Sequence, residues 1–206
     1  MTRVIAGSAG GRRLAVPPGS GTRPTSDRAR EGLFSSVMSE FGDLRGIRVM
    51  DLYAGSGALG LEALSRGAAS VLLVESDARA AAVIKANAAT VGLPGASVAI
   101  DRVERLLSRL PDAESGYDLV FADPPYAVTG EAVAKVLAQL GSGWLAAGAL
   151  VAVERATRSG PLDWPPGYGA GKSRRYGEAT FWYGWYGSDA EPGHPGTPRA
   201  AVAREE

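Results

Sequence analysis

The chain has 206 residues, enough for one sizeable α/β domain with a small appendage, and its 22 basic and 22 acidic side chains cancel. The absence of cysteine excludes disulfides, thiolate metal sites and cysteine nucleophiles, and no apolar run reaches the roughly 18 residues that a membrane span needs. With no leader-like pattern at the start, the expectation is a cytoplasmic protein that does not engage membranes.

Although the total charge is zero, its distribution is uneven. Residues 1–30 carry Arg3, Arg12, Arg13, Arg23, Arg28 and Arg30 against the single acid Asp27, a local excess suited to a surface that meets phosphates. Two short β-prone runs, 3–7 and 12–16, flank Gly10-Gly11 and predict a hairpin that ends at Pro17-Pro18-Gly19. Ser26 is then placed to cap a helix with Asp27 in its first turn. Leu33, Phe34, Val37, Met38 and Phe41 give that helix one apolar face.

From about residue 46 to 155 the pattern alternates. Strands are expected at 47–52, 70–75, 97–100, 117–122 and 149–153, with helices at 58–66, 78–91, 103–110 and 131–140 between them. Val71-Leu72-Leu73-Val74 and Leu119-Val120-Phe121 are continuous apolar runs, as expected of strands covered on both faces. Repeated βα units predict a doubly wound parallel sheet, whose ligands collect at the carboxyl ends of its strands. Near the end, Arg174-Arg175-Tyr176-Gly177-Glu178 leads into the aromatic run 180–186, which reads as a terminal strand hairpin-paired through Gly177. The composition from Ser188 onward predicts a disordered tail, and His194 within it, lacking a second imidazole or thiol, is given no metal-binding role.

Four strand ends carry candidate chemistry. After the first central strand, Asp51-Leu52-Tyr53-Ala54-Gly55-Ser56-Gly57-Ala58-Leu59-Gly60 places three glycines in GxGxxG spacing at a strand-to-helix junction. Backbone there can approach a ligand closely and offer free N–H groups, for a dinucleotide or another adenosine cofactor. Glu75 ends the next strand, where it can accept hydrogen bonds from ribose hydroxyls. Asp101, followed by Arg102, ends the third, within reach of an adenine amino group. Directly after the fourth strand comes Asp123-Pro124-Pro125-Tyr126. Two prolines stiffen this corner. It can hold a carboxylate oxygen and the Pro124 carbonyl as paired acceptors for an exocyclic NH₂, with Tyr126 as a stacking face for an everted base.

Asp123-Pro124-Pro125-Tyr126 resembles the (D/N/S)PP(Y/F) motif of amino-methyltransferases, and the segment from Asp51 to Gly60 resembles their S-adenosylmethionine (AdoMet) motif. The longer strings from Asp51 to Ala68 and from Arg23 to Glu31 are similar to the bacterial 16S ribosomal RNA guanine-N2 methyltransferase family, which modifies a guanine in the small-subunit head. The likeness runs from about Arg3 to Tyr186. It implies a Rossmann-like class I methyltransferase fold, with a mostly parallel seven-stranded sheet, a terminal antiparallel strand and an N-terminal β-hairpin extension. The expected organisation is 1–24 for the RNA-binding extension, 25–187 for the methyltransferase domain and 188–206 for the tail. AdoMet is then expected against Asp51, Tyr53, Ala54, Gly55, Ser56, Gly57, Glu75, Ser76, Asp101 and Arg102. Catalysis is expected at Asp123, Pro124, Pro125 and Tyr126. The six N-terminal arginines would grip 16S rRNA within an assembled or assembling small subunit, and the enzyme would act as a monomer. The competing readings are a DNA adenine-N6 methyltransferase, a nicotinamide-dependent oxidoreductase and a non-catalytic ribosome-assembly factor.

Overall fold

The computed structural model describes residues 2–18, 26–111 and 116–187. The candidate RNA contact Arg23, together with His194 and the predicted tail, lies outside the described residues. In chain order the strands are β1 (Thr2–Arg3), β2 (Arg13–Leu14), β3 (Arg48–Leu52), β4 (Ser70–Glu75), β5 (Ala96–Ile100), β6 (Tyr117–Ala122), β7 (Leu145–Ala156), β8 (Tyr168–Tyr176) and β9 (Ala179–Tyr186). The helices are α1 (Asp27–Phe41), α2 (Ala58–Ser65), α3 (Ala78–Val91), α4 (Val103–Leu107) and α5 (Gly130–Gly141).

Seven strands form one sheet in the order β5-β4-β3-β6-β7-β9-β8. The first five run parallel, whereas β9 is antiparallel to both β7 and β8. The last strand in sequence is thus inserted one place in from the edge, and β8 forms the edge. Chain order reverses between β3 and β6. That switch point opens the crevice where ligands bind in such sheets.

Helices cover both faces. α1, α2 and α3 pack on one side, where Phe34 meets Phe121 with ring centroids 5.4 Å apart. α4 and α5 pack on the other, over Met50, Leu52, Val120 and Val151. Local signals explain several boundaries. Ser26 caps α1 by accepting from the Ala29 amide at 3.2 Å, and Asp77 caps α3 by accepting from the Arg79 amide at 2.8 Å. α4 stops short of the predicted 110, because the residue before Pro111 is pushed out of helical geometry. β7 exceeds its predicted length at both ends, with Leu145 paired to Tyr117 of β6 and Glu154–Ala156 paired to β9, and β9 also draws the glycine-rich start of β8 into the sheet.

The N-terminal hairpin forms as expected, with Thr2 opposite Leu14. It is not an outlying appendage. Val4, Ala9 and Leu14 are buried in the same cluster as α1 and α2. Glu62, wholly buried on α2, accepts from the Ile5 amide at 2.6 Å, the Ala6 amide at 3.0 Å and Arg66 Nε at 2.7 Å. Ser65 adds a bond from the Ala9 amide at 2.9 Å. Gly7 (φ 84°) passes so close that a Cβ would stand 1.8 Å from the Ser65 carbonyl oxygen, which excludes any other residue there.

A candidate methyl-transfer cleft at the strand ends

Beyond the carboxyl ends of β3, β4, β5 and β6 lies a cleft of about 580 Å³. Its walls bring together nearly every residue that the strand-end motifs single out: Asp51, Tyr53–Ser56, Glu75, Ser76, Asp101, Arg102, Asp123 and Pro125. Gly57 stands just behind as the residue that opens α2, in left-handed geometry. Sequence reasoning missed the remainder of the wall. Thr2, Val16, Pro17 and Pro18 come from the N-terminal segment, Arg30 from α1, Arg79, Val103 and Glu104 from the first turns of α3 and α4, and Val128 from the loop before α5.

The loop after β3 is held from three directions. Asp51 is buried and its Oδ2 accepts from the Gly60 amide at 2.9 Å, which joins the strand end to α2. Glu75 accepts from the Gly55 amide through Oε2 and from the Asp77 amide through Oε1, each at 2.9 Å. Asn87, on α3, donates to the Ser56 and Ala15 carbonyls and accepts from the Ala15 amide, tying the glycine loop to the N-terminal segment. Gly55 (φ 56°) offers its α-carbon to open space, with no atom but the Tyr53 carbonyl oxygen near a would-be Cβ. Tyr53 shares that left-handed geometry (φ 60°) and its hydroxyl donates to Glu104 at 3.3 Å.

Burial pushes the Asp51 carboxyl up from 3.8 to about 7, opposed by the Gly60 amide and reinforced by the charge of Glu75. In the unfolded chain Asp51 loses its proton near 3.8, whereas the fold retains it to about 7. Over that interval the unfolded state binds fewer protons, so this group's contribution to stability declines as pH rises from about 4 to about 7, then stays flat. The full decline is on the order of 4 kcal/mol. Asp51→Asn keeps an acceptor for Gly60 and is expected to remove this slope. Urea midpoints of the ligand-free protein between pH 4 and pH 8 check it.

Asp101 behaves oppositely. Burial disfavours its charge, but Arg105, the Arg102 amide and Arg109 outweigh that and hold the carboxyl below its usual range. Its oxygens are largely engaged within the fold.

The corner after β6 begins where the Asp123 amide reaches the Leu52 carbonyl at 3.4 Å, and it closes where the Val128 amide donates to the Pro125 carbonyl at 2.8 Å. Asp123 and Pro125 face the cleft. Pro124, Pro125 and Tyr126 line a shallow notch on its far side, with Glu154 and Arg155 of β7. Tyr126 is 51% exposed, which is unusual for a large aromatic here. Partial burial and the nearby carboxylates of Glu154, Asp123 and Glu178 hold its hydroxyl in the neutral form to higher pH.

The arginines expected to grip RNA divide. Arg13 and Arg28 are exposed, and Arg3 is exposed while pairing with Asp27 at 3.4 Å. Arg12 donates to the Thr90 and Val91 carbonyls at the end of α3. Arg30 is 1% exposed, bonds Thr2, the Arg3 carbonyl and Asp27, and lines the inner wall of the cleft, so it does not belong to an outward phosphate-facing surface. The helical spacing after Ser26 carried this signal, since Ala29, Arg30, Leu33, Phe34 and Val37 share the buried side of α1.

Residues 2–185 match the protein family described as conserved hypothetical protein 95. The chain belongs to this family. The Escherichia coli K12 protein named ribosomal RNA small subunit methyltransferase D is 37% identical to it over 166 residues, 79% of this chain and 80% of that one. Two solved structures superimpose closely. The Escherichia coli protein yhhF gives a TM-score of 0.76 at 32% identity, covering 90% of this chain and 97% of its own. A Thermus thermophilus protein, TTHA0928, gives 0.74 at 34% identity, covering 89% and 98%. With the sheet order above, this is the Rossmann-like class I methyltransferase fold. No helix of the described residues is long and apolar enough to cross a membrane.

Proposed function

We propose that this family member transfers a methyl group from AdoMet to the exocyclic N2 of a guanine in 16S rRNA, working in the cytoplasm as a monomer on an assembled or assembling small subunit. The observation that carries the reading is that Asp123 and Pro125 wall the same cleft as Gly55, Glu75 and Asp101. A methyl donor seated on the glycine loop would therefore lie beside the acceptor corner. The name of the relative, a small-subunit rRNA methyltransferase, agrees.

The residues present fit this donor. Gly55 leaves room for a close backbone approach, and Glu75 has acceptor capacity beyond its two amide bonds, since a carboxylate offers about four lone-pair sites. Glu75 and Ser76 would take the ribose, Asp101 through Val103 would flank the adenine, and Tyr53 through Gly57 would meet the methionine portion. When bound, AdoMet supplies an electrophilic methyl on a sulfonium sulfur. Asp123 and the Pro124 carbonyl would accept the two N2 hydrogens, turning the nitrogen lone pair toward that methyl, while Tyr126 stacks the everted guanine. The transfer would join N2 to the methyl carbon as the C–S bond breaks, giving N2-methylguanine and S-adenosylhomocysteine, with the displaced N2 proton passing to solvent water. The exposed arginines Arg3, Arg13 and Arg28, with Arg23, would hold phosphates and set register.

Purified enzyme and labelled AdoMet are expected to methylate small subunits from cells lacking this protein, yielding N2-methylguanosine on nucleoside mass mapping. Label appearing as N6-methyladenine in DNA, or transfer to no nucleic acid, would reject the reading.

A further inference from the structure

A second group of arginines surrounds the acceptor corner on the side away from the N-terminal segment. Strand register places Arg155 of β7 and Arg175 of β8 opposite the same β9 residue, Thr180. All three therefore share one face of the sheet, with the two arginines about 10 Å apart along the backbone row. Arg158 lies in the single turn that follows β7, and its charge reaches Tyr126. The Gly177 carbonyl accepts from both Arg175 Nε at 3.0 Å and the Thr157 hydroxyl at 3.3 Å, which pins Arg175 against that turn.

Both signs meet at this rim, since the carboxylates of Glu154, Asp123 and Glu178 lie near the same Tyr126. Among the described residues no carboxylate stands within ion-pair distance of Arg155, Arg158 or Arg175, although the exposed arginines and lysines elsewhere include several paired ones, such as Arg45, Arg79, Arg102 and Lys135. A Cβ at Gly130 would stand 3.1 Å from Arg155 Nη1. That guanidinium thus lies over the first turn of α5, where the helix dipole is also positive. Two like potentials placed together favour an anion between them. Beside them is the half-exposed ring of Tyr126.

We propose that Arg155, Arg158 and Arg175 form a second phosphate-binding rim, which grips the RNA strand next to the target nucleotide. The strand then crosses the Asp123 corner between two basic surfaces, one from the N-terminal segment and one from the β7–β8 connection and its hairpin. Such a two-sided grip spans the nucleotide to be everted, so backbone contacts on both flanks oppose its return to the stack. This rests on the RNA reading above.

The test uses the full-length enzyme with AdoMet and small subunits from cells lacking it, with methyl transfer measured across a series of KCl concentrations. Arg158→Gln/Arg175→Gln is expected to raise KM for the subunit about tenfold and to lower the log–log salt slope by about two, one for each lost phosphate contact. The AdoMet Kd, kcat at saturating subunit and melting temperature stay at wild-type values. Arg158→Lys/Arg175→Lys should keep the slope, because charge carries it. Arg45→Gln, at the opposite end of the sheet, should change nothing. A salt slope and KM unchanged in the double glutamine variant would overturn the proposal while leaving the parent function intact. Absence of transfer by the wild type would instead remove the parent reading and this one with it.

Discussion

Replacing Asp123 with alanine is expected to lower methyl transfer by roughly 10³-fold, the scale of losing a preorganised group at the reacting atom. AdoMet affinity should stay near wild type. The two effects separate because Asp123 stands at the end of β6, whereas the loop after β3 is held by Asp51, Glu75 and Asn87 without it. Asparagine at this position keeps one acceptor oxygen on the same frame and should fall between alanine and wild type. Single-turnover transfer of labelled methyl, paired with calorimetric titration of AdoMet, makes the comparison. Full activity in Asp123→Ala would show that another group orients N2.

Glu62→Ala should produce the largest loss of stability of any single change considered. The carboxylate is wholly buried and satisfies two backbone amides and Arg66 at once. Its removal strands the Ile5 and Ala6 N–H groups and leaves a mostly buried guanidinium unpaired, at a cost of about 3–5 kcal/mol. For a chain of this size that lowers the melting temperature by about 10 °C. AdoMet binding should weaken as well, because Thr2 and Val16–Pro18 belong to the cleft wall. Deleting the hairpin should therefore damage donor binding and folding together, and not RNA binding alone. A Glu62→Ala protein that melts like wild type would refute this view of the N-terminal segment.

Local signals were the readable ones. The runs at 71–74 and 119–121 reveal β4 and β6 because both faces of those strands are covered. α3 begins and ends as predicted, since Asp77 caps it and Gly92 closes it in left-handed geometry. The Asp123 corner was legible because two adjacent prolines leave the chain few alternatives. Contacts between distant residues were not. Nothing near Glu62 announces that it will bind Ile5, 57 positions away, nor near Asn87 that it will bind Ala15, 72 positions away. Arg30 was misread because its charge was weighed ahead of its place on the apolar side of α1. β8 was mostly missed since Tyr168-Gly169-Ala170-Gly171 lacks alternation and is drawn into strand form by β9.

The clamp on the hairpin has a consequence for how the protein comes into being. The hairpin residues must wait for Glu62, Ser65 and then Asn87 to emerge before these bonds can form. Their closure is a long-range event, slow relative to the local helices. The hairpin is thus among the later pieces to settle, and the donor site is completed only when it does.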